Sequence, residues 1–168
     1  MELHERLEHW DGKDVAFLEE VFDLHSHRED FARDALAELT APARFQTAAT
    51  WLLKRAFEEG DRLAAADSAR FLRALPKLEP WEARLHALQS LPYLRVTAKT
   101  RSVVERFVRE ALTSDVKFVR AWAFTGLHEL AKAFPELRPE AERLFQDALE
   151  EGPASVRARV RHLVKAGF

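Results

Sequence analysis

Seven histidines and no cysteine bound the chemistry that this chain of 168 residues can offer. Without Cys there is no thiol nucleophile, no disulfide framework and no thiolate ligand for zinc. His25 and His27 stand close together, with Asp23 and Asp30 nearby in sequence, and such a group could share a metal ion. Histidines paired in a turn are otherwise simply solvated. His86, His128 and His162 fall in helical stretches, without the i, i+4 partner that a zinc motif supplies. No Gly-rich phosphate loop and no Gly-x-Ser-x-Gly turn occurs. Glu19-Glu20 and Glu150-Glu151 are charge runs at helix ends rather than placed carboxylate pairs. The sequence therefore names no catalytic residue, no metal site and no cofactor, and a binding protein is expected rather than an enzyme.

Arginine is the residue whose spacing is organised. Arg44, Arg84, Arg120 and Arg157 each follow an Ala or Val, at intervals of 40, 36 and 37 residues. Three residues beyond each comes a small or β-branched side chain: Thr47, Ala87, Ala123 and Val160. Seven beyond comes a large apolar one: Trp51, Leu91, Leu127 and Val164. A period of this length marks stacked helical pairs.

The rest of the chain supplies elements to position these residues. Gly and Pro are scarce (5 and 7), and Ala, Leu, Glu and Arg outnumber the strand formers, which favours helix. Leu3, Leu7 and Trp10 predict a short helix over 2–10. Val15, Leu18, Val21 and Phe22 predict another over 14–24. Residues 1 to 25 hold eight acidic and two basic side chains. An acidic pair at one end suits a cap over residues 1–27 that hides the first open core face. Residues 28–168 then form the array, divided as 28–60, 61–95, 96–134 and 135–168. Phe31 to Leu36, Phe107 to Leu112 and Phe145 to Leu149 end the first helices alike. Pro42, Pro80 and Pro153 lie near the starts of the second helices, where a missing N–H costs little. Thr113-Ser114-Asp115 can cap the helix of Arg120. Gly126 within a helical pattern costs about 1 kcal/mol against Ala, so close helix approach is its expected reason.

Val119-Arg120-x-x-Ala123 with Gly126-Leu127, and Ala83-Arg84-x-x-Ala87 with Ser90-Leu91, resemble the HEAT-repeat family over about residues 28 to 166. That resemblance implies an all-α, right-handed solenoid of about four helical hairpins, with the second helices on the concave side. It also implies that each repeated arginine pairs with an acid near the start of its own helix. Asp115 could serve Arg120 and Glu79 could serve Arg84, while Arg44 has no such acid. Arg44, Arg84, Arg120 and Arg157 are thus expected to be a structural ladder of inter-repeat ion pairs and hydrogen bonds.

The second helices, taken as 42–59, 80–94, 116–132 and 153–166, hold eleven basic and four acidic residues, a surplus of +7 on a chain whose net charge is −2. Their expected outer ridge reads Gln46, Ala49 and Leu53, then His86, Gln89 and Tyr93, then Trp122, Thr125 and Glu129, then Arg159, His162 and Ala166. His86, Gln89, Tyr93, Trp122, Thr125, Arg159, Arg161 and His162 are the candidate binding residues. A basic inner face suits a protein or acidic peptide, or the backbone of DNA or RNA.

Phe45-Gln46-x-Ala48-Ala49 and Phe118-Val119-Arg120 are similar to bacterial HEAT-like alkylpurine DNA glycosylases. In those proteins Trp and Asp residues flank the lesion. Here no second helix carries a Trp with an Asp four residues later, so that activity is not implied. The first residues carry no signal-peptide run and no stretch has the roughly 20 apolar residues of a membrane span, so a soluble cytoplasmic protein without membrane contact is expected.

Overall fold

The computed structural model describes residues 2–168, and all regular structure among them is helical. Helices α1 (Leu3–Leu7) and α2 (Val15–His25) come first. They are followed by α3 (Phe31–Glu38), α4 (Ala43–Glu58), α5 (Ala65–Ala74) and α6 (Trp81–Ser90). The last four are α7 (Arg101–Leu112), α8 (Lys117–Ala133), α9 (Arg138–Glu151) and α10 (Ala154–Ala166). Short 3-10 turns follow α5 and α6 and precede α9.

Proline sets three helix starts. Pro42, Pro80 and Pro153 are the N-cap residues of α4, α6 and α10. Each lacks the N–H that the first turn would leave unpaired, so nothing is lost there. Asp14 starts α2 differently, accepting hydrogen bonds from the amides of Ala16 and Phe17. At α8 the expected cap shifts: Val116 is the N-cap, and Ser114 Oγ accepts from the Val116 amide at 3.2 Å. Pro92 stops α6 at Ser90 and turns the chain into the 3-10 segment Leu91–Tyr93.

Helices α4, α6, α8 and α10 pack side by side in that order, and α3 packs on α5 and α5 on α7. Helix α3 lies against α4, α7 against α8, and α9 against both α8 and α10. The core runs between these two rows. Val119, Ala123, Leu127 and Leu130, one stripe of α8, are all buried. Gly126 explains how closely α8 sits: a Cβ there would lie 2.6 Å from Val108 Cγ2 and 3.1 Å from Leu91 Cδ1.

Two expectations about facing fail. Gln46, Ala49 and Leu53 are buried rather than exposed. Helix α4 meets α2, α3 and α6, so it has little free face. Gln46 uses its burial structurally: Nε2 donates to the Lys77 carbonyl and Oε1 accepts from the Glu79 amide, both at 2.9 Å. That ties α4 to the turn before α6. On α2, Val15 is exposed instead of joining Leu18, Val21 and Phe22 in the core. Among the described residues no helix is long and apolar enough to cross a membrane.

Candidate binding cleft across α6, α8 and α10

Six of the eight candidate residues line one cleft of about 390 Å³. Gln89 and Tyr93 come from the end of α6 and its 3-10 turn, Trp122 and Thr125 from α8, and Arg159 and His162 from α10. The side-by-side packing of these helices brings the residues together from positions 73 apart in sequence. His86 and Arg161 do not line it. His86 is half-buried between α6 and α4, 3.2 Å from Thr50 Oγ1. Thr50 gives its own proton to the Gln46 carbonyl at 2.8 Å, so the imidazole Nδ1–H donates to Thr50. Burial, with the Lys54 charge as a smaller cause, pushes the His86 pKa down to about 4. Arg161 is exposed on the far side of α10 from the core.

Inside the cleft the charged groups are unequally satisfied. Lys132 is 3.2 Å from Glu129, and Lys54 is 2.9 Å from Glu58, whose side chain also lines the cleft. Arg159 has no carboxylate partner among the described residues. Its guanidinium instead lies 3.6 Å above the Trp122 ring. Burial pulls its pKa below the ordinary arginine value, with no opposing charge to restore it.

Thr125 is buried, at 4% exposure, and its hydroxyl has no hydrogen-bond partner. This is unusual within the molecule itself. Thr50 and Ser90 return their hydroxyl protons to the carbonyls four residues back, each at 2.8 Å. His128, also buried at the cleft, puts Nε2 2.6 Å from the Gly167 carbonyl and leaves Nδ1 without a hydrogen bond. Its ring stacks on Phe168 with centroids 5.2 Å apart. The ridge of α8, continued one turn past Thr125 and Glu129, would have reached His128 and Lys132. Glu58 lies beyond the ridge on α4, and only the packing of the row brings it here.

A second cavity of about 300 Å³ lies beside it between α9 and α10. Phe145, Leu149, Leu163 and Phe168 make it apolar, and His128 is shared by the two.

Among the described residues none of the four repeated arginines pairs with an acid at the start of its own helix. Arg120 donates to the Ser114 carbonyl at 2.7 Å rather than to Asp115. Arg84 reaches Glu110 on α7 at 3.4 Å rather than Glu79, and covers the Phe107 ring. Arg44 is exposed over Phe45, and Arg157 forms no ion pair among the described residues. His25 is buried at the end of α2 while His27 is exposed, so the two diverge. The one acidic trio close enough to share an ion among the described residues is Glu2, Asp30 and Asp34, and Arg28 and Arg33 already lie against it.

The cleft therefore offers a fork of N–H donors on an aromatic base, with the unpartnered hydroxyl of Thr125 buried in its wall and the edge of Tyr93 beside it. Comparison of the chain with protein-family models, with curated proteins and with solved structures gives no match.

Proposed function

We propose that this protein is a non-catalytic interaction module, a HEAT-like stack of helical hairpins that holds a segment of a partner protein in the cleft across its second helices. The observation that carries the reading is Arg159, unpaired and laid on Trp122, in a cleft whose wall also holds the buried, unpartnered hydroxyl of Thr125. A buried polar group without a partner costs stability, and a ligand that supplies the partner recovers it. The ordered packing of α4, α6, α8 and α10, with α3, α5 and α7 in a second row, supports the solenoid. The test is affinity capture with wild type, Trp122→Ala and Tyr93→Ala, with captured proteins identified by mass spectrometry. We expect at least one partner to be lost from both variants. Equal recovery of every partner would remove the cleft from consideration.

A second reading has its own observation. Arg157, Arg161 and Lys165 on α10 form no ion pair among the described residues, whereas Arg55, Arg84 and Lys132 in the same row do. Free cations along one helix suit a phosphate backbone. A labelled duplex and a labelled single strand, titrated across salt, test this. Binding that weakens steeply with salt and is lost in Arg157→Glu/Arg161→Glu supports it; no binding at low salt sinks it.

A further inference from the structure

We infer that the cleft is selective for a single carboxylate, the side chain of an Asp or Glu in the partner segment, read by Arg159 and Thr125 together. This rests on the reading of the cleft as the binding surface and goes on to name what it recognises.

Four ionisable side chains of fixed sign line the cleft: Arg159, Lys132, Glu58 and Glu129. Glu129 is taken by Lys132, and Glu58 by Lys54. One positive charge is left over, on Arg159. A single negative charge balances it. A phosphate dianion would carry one charge too many and would face two carboxylates at the rim. The same two carboxylates oppose a continuous nucleic-acid backbone here.

Geometry narrows the choice further. The guanidinium carbon lies 3.6 Å from the Trp122 ring centre and its N–H groups donate to no described residue, which leaves the N–H edges to a ligand. Those edges match the two oxygens of a carboxylate. Thr125 adds one O–H donor at a buried position, and no backbone carbonyl competes for it as one does at Thr50 and Ser90. A carboxylate has lone pairs for all of these donors; the amide of Gln or Asn must turn its own N–H groups toward some of them. Gln89 and Tyr93 complete the wall on the α6 side.

An array of acetylated, amidated peptides with a central Glu, Asp, Gln, Asn or phosphoserine in mixed contexts tests the inference. Bound wild-type protein is compared with Arg159→Gln, Thr125→Val, Thr125→Ser and Trp122→Ala. Circular dichroism checks that each variant is folded. For wild type, central Glu or Asp should exceed Gln or Asn by roughly tenfold, the size of a lost charged hydrogen bond. Arg159→Gln should erase that preference. Thr125→Val should bind acidic peptides more weakly and yet melt at a higher temperature, because it removes an unsatisfied buried hydroxyl; Thr125→Ser should retain binding. A purely structural threonine would not move binding and stability in opposite directions. Three results overturn the inference. If Gln binds as well as Glu and Trp122→Ala abolishes both, the cleft binds but does not read charge. If phosphoserine is preferred, the charge count is wrong. If no peptide depends on Trp122, the cleft itself is not the surface, and the proposed function falls with it.

Discussion

Single residues in this molecule are legible through what they lack. His86 lacks a counter-charge. It is held neutral, with a pKa of about 4 against an ordinary 6.5. Above pH 6.5 both folded and unfolded chains carry it uncharged. As pH falls toward 4 the unfolded chain takes up a proton and the folded one resists, so the unfolded state is favoured progressively. A displacement of that size is worth roughly 3 kcal/mol. His25, whose pKa burial also lowers, acts in the same direction. Thermal melts should therefore decline between pH 6.5 and 4, and His86→Gln should flatten the slope; an unchanged slope would assign the loss elsewhere. Gly126 lacks a side chain for a different reason. A methyl group would press on Val108, which is stiff at χ1 and wholly buried. Overpacking of this kind costs about 1–3 kcal/mol, and better helix propensity returns up to about 1. We expect Gly126→Ala to lower stability by about 1 kcal/mol net in urea unfolding, although the same change on an open helix face would raise it.

At the scale of elements, the two rows are held by different forces. Helices α6 and α8 meet through buried apolar groups, Leu88 among them. Between α7 and α9 the links include charge: Arg109 donates to both oxygens of Glu140, at 2.8 and 2.9 Å, and also to Glu105 at 2.9 Å. Arg101, at the start of α7, pairs with Glu136 in the 3-10 turn before α9. Leu88→Ala should cost about 2–5 kcal/mol at any ionic strength. Arg109→Ala should cost less than about 1 kcal/mol, and that cost should shrink further in high salt. Double-mutant unfolding series at two salt concentrations check both. Helix limits were readable beforehand because Pro42, Pro80 and Pro153 act locally, within one turn. The face that α4 buries was not, since Gln46 goes inward only to meet Lys77 and Glu79, more than thirty residues away. The partners that the arginines take were hidden for the same reason. Arg84 chooses Glu110 on another helix over Glu79 nearby, and no local pattern encodes that choice. Of the cleft, the α6, α8 and α10 members could be picked out from a helical ridge. That Thr125 would be buried with its hydroxyl unmet, one position from the small-residue series Thr50, Ser90 and Gly126, could not.

The molecule as a whole depends on its first helices more than their length suggests. The His4 ring stacks on Phe45 at 4.8 Å, and its Nδ1 lies 2.9 Å from the buried carboxylate of Glu38. Removal of residues 1–27 would uncover Phe45 and strand Glu38. We expect the shortened chain to melt earlier and to self-associate with rising concentration, as light scattering after gel filtration would register; a monomer of undiminished stability would deny these helices a capping role. The cleft also has a mechanical side. Its lips belong to α4 through Glu58, to α6 through Gln89, to α8 through Trp122 and to α10 through Arg159. A furrow that crosses four packed helices gapes when they spread apart and pinches when they draw together. On the proposed reading a ligand lodged there would work as a wedge, and its occupancy would be coupled to the spread of the row.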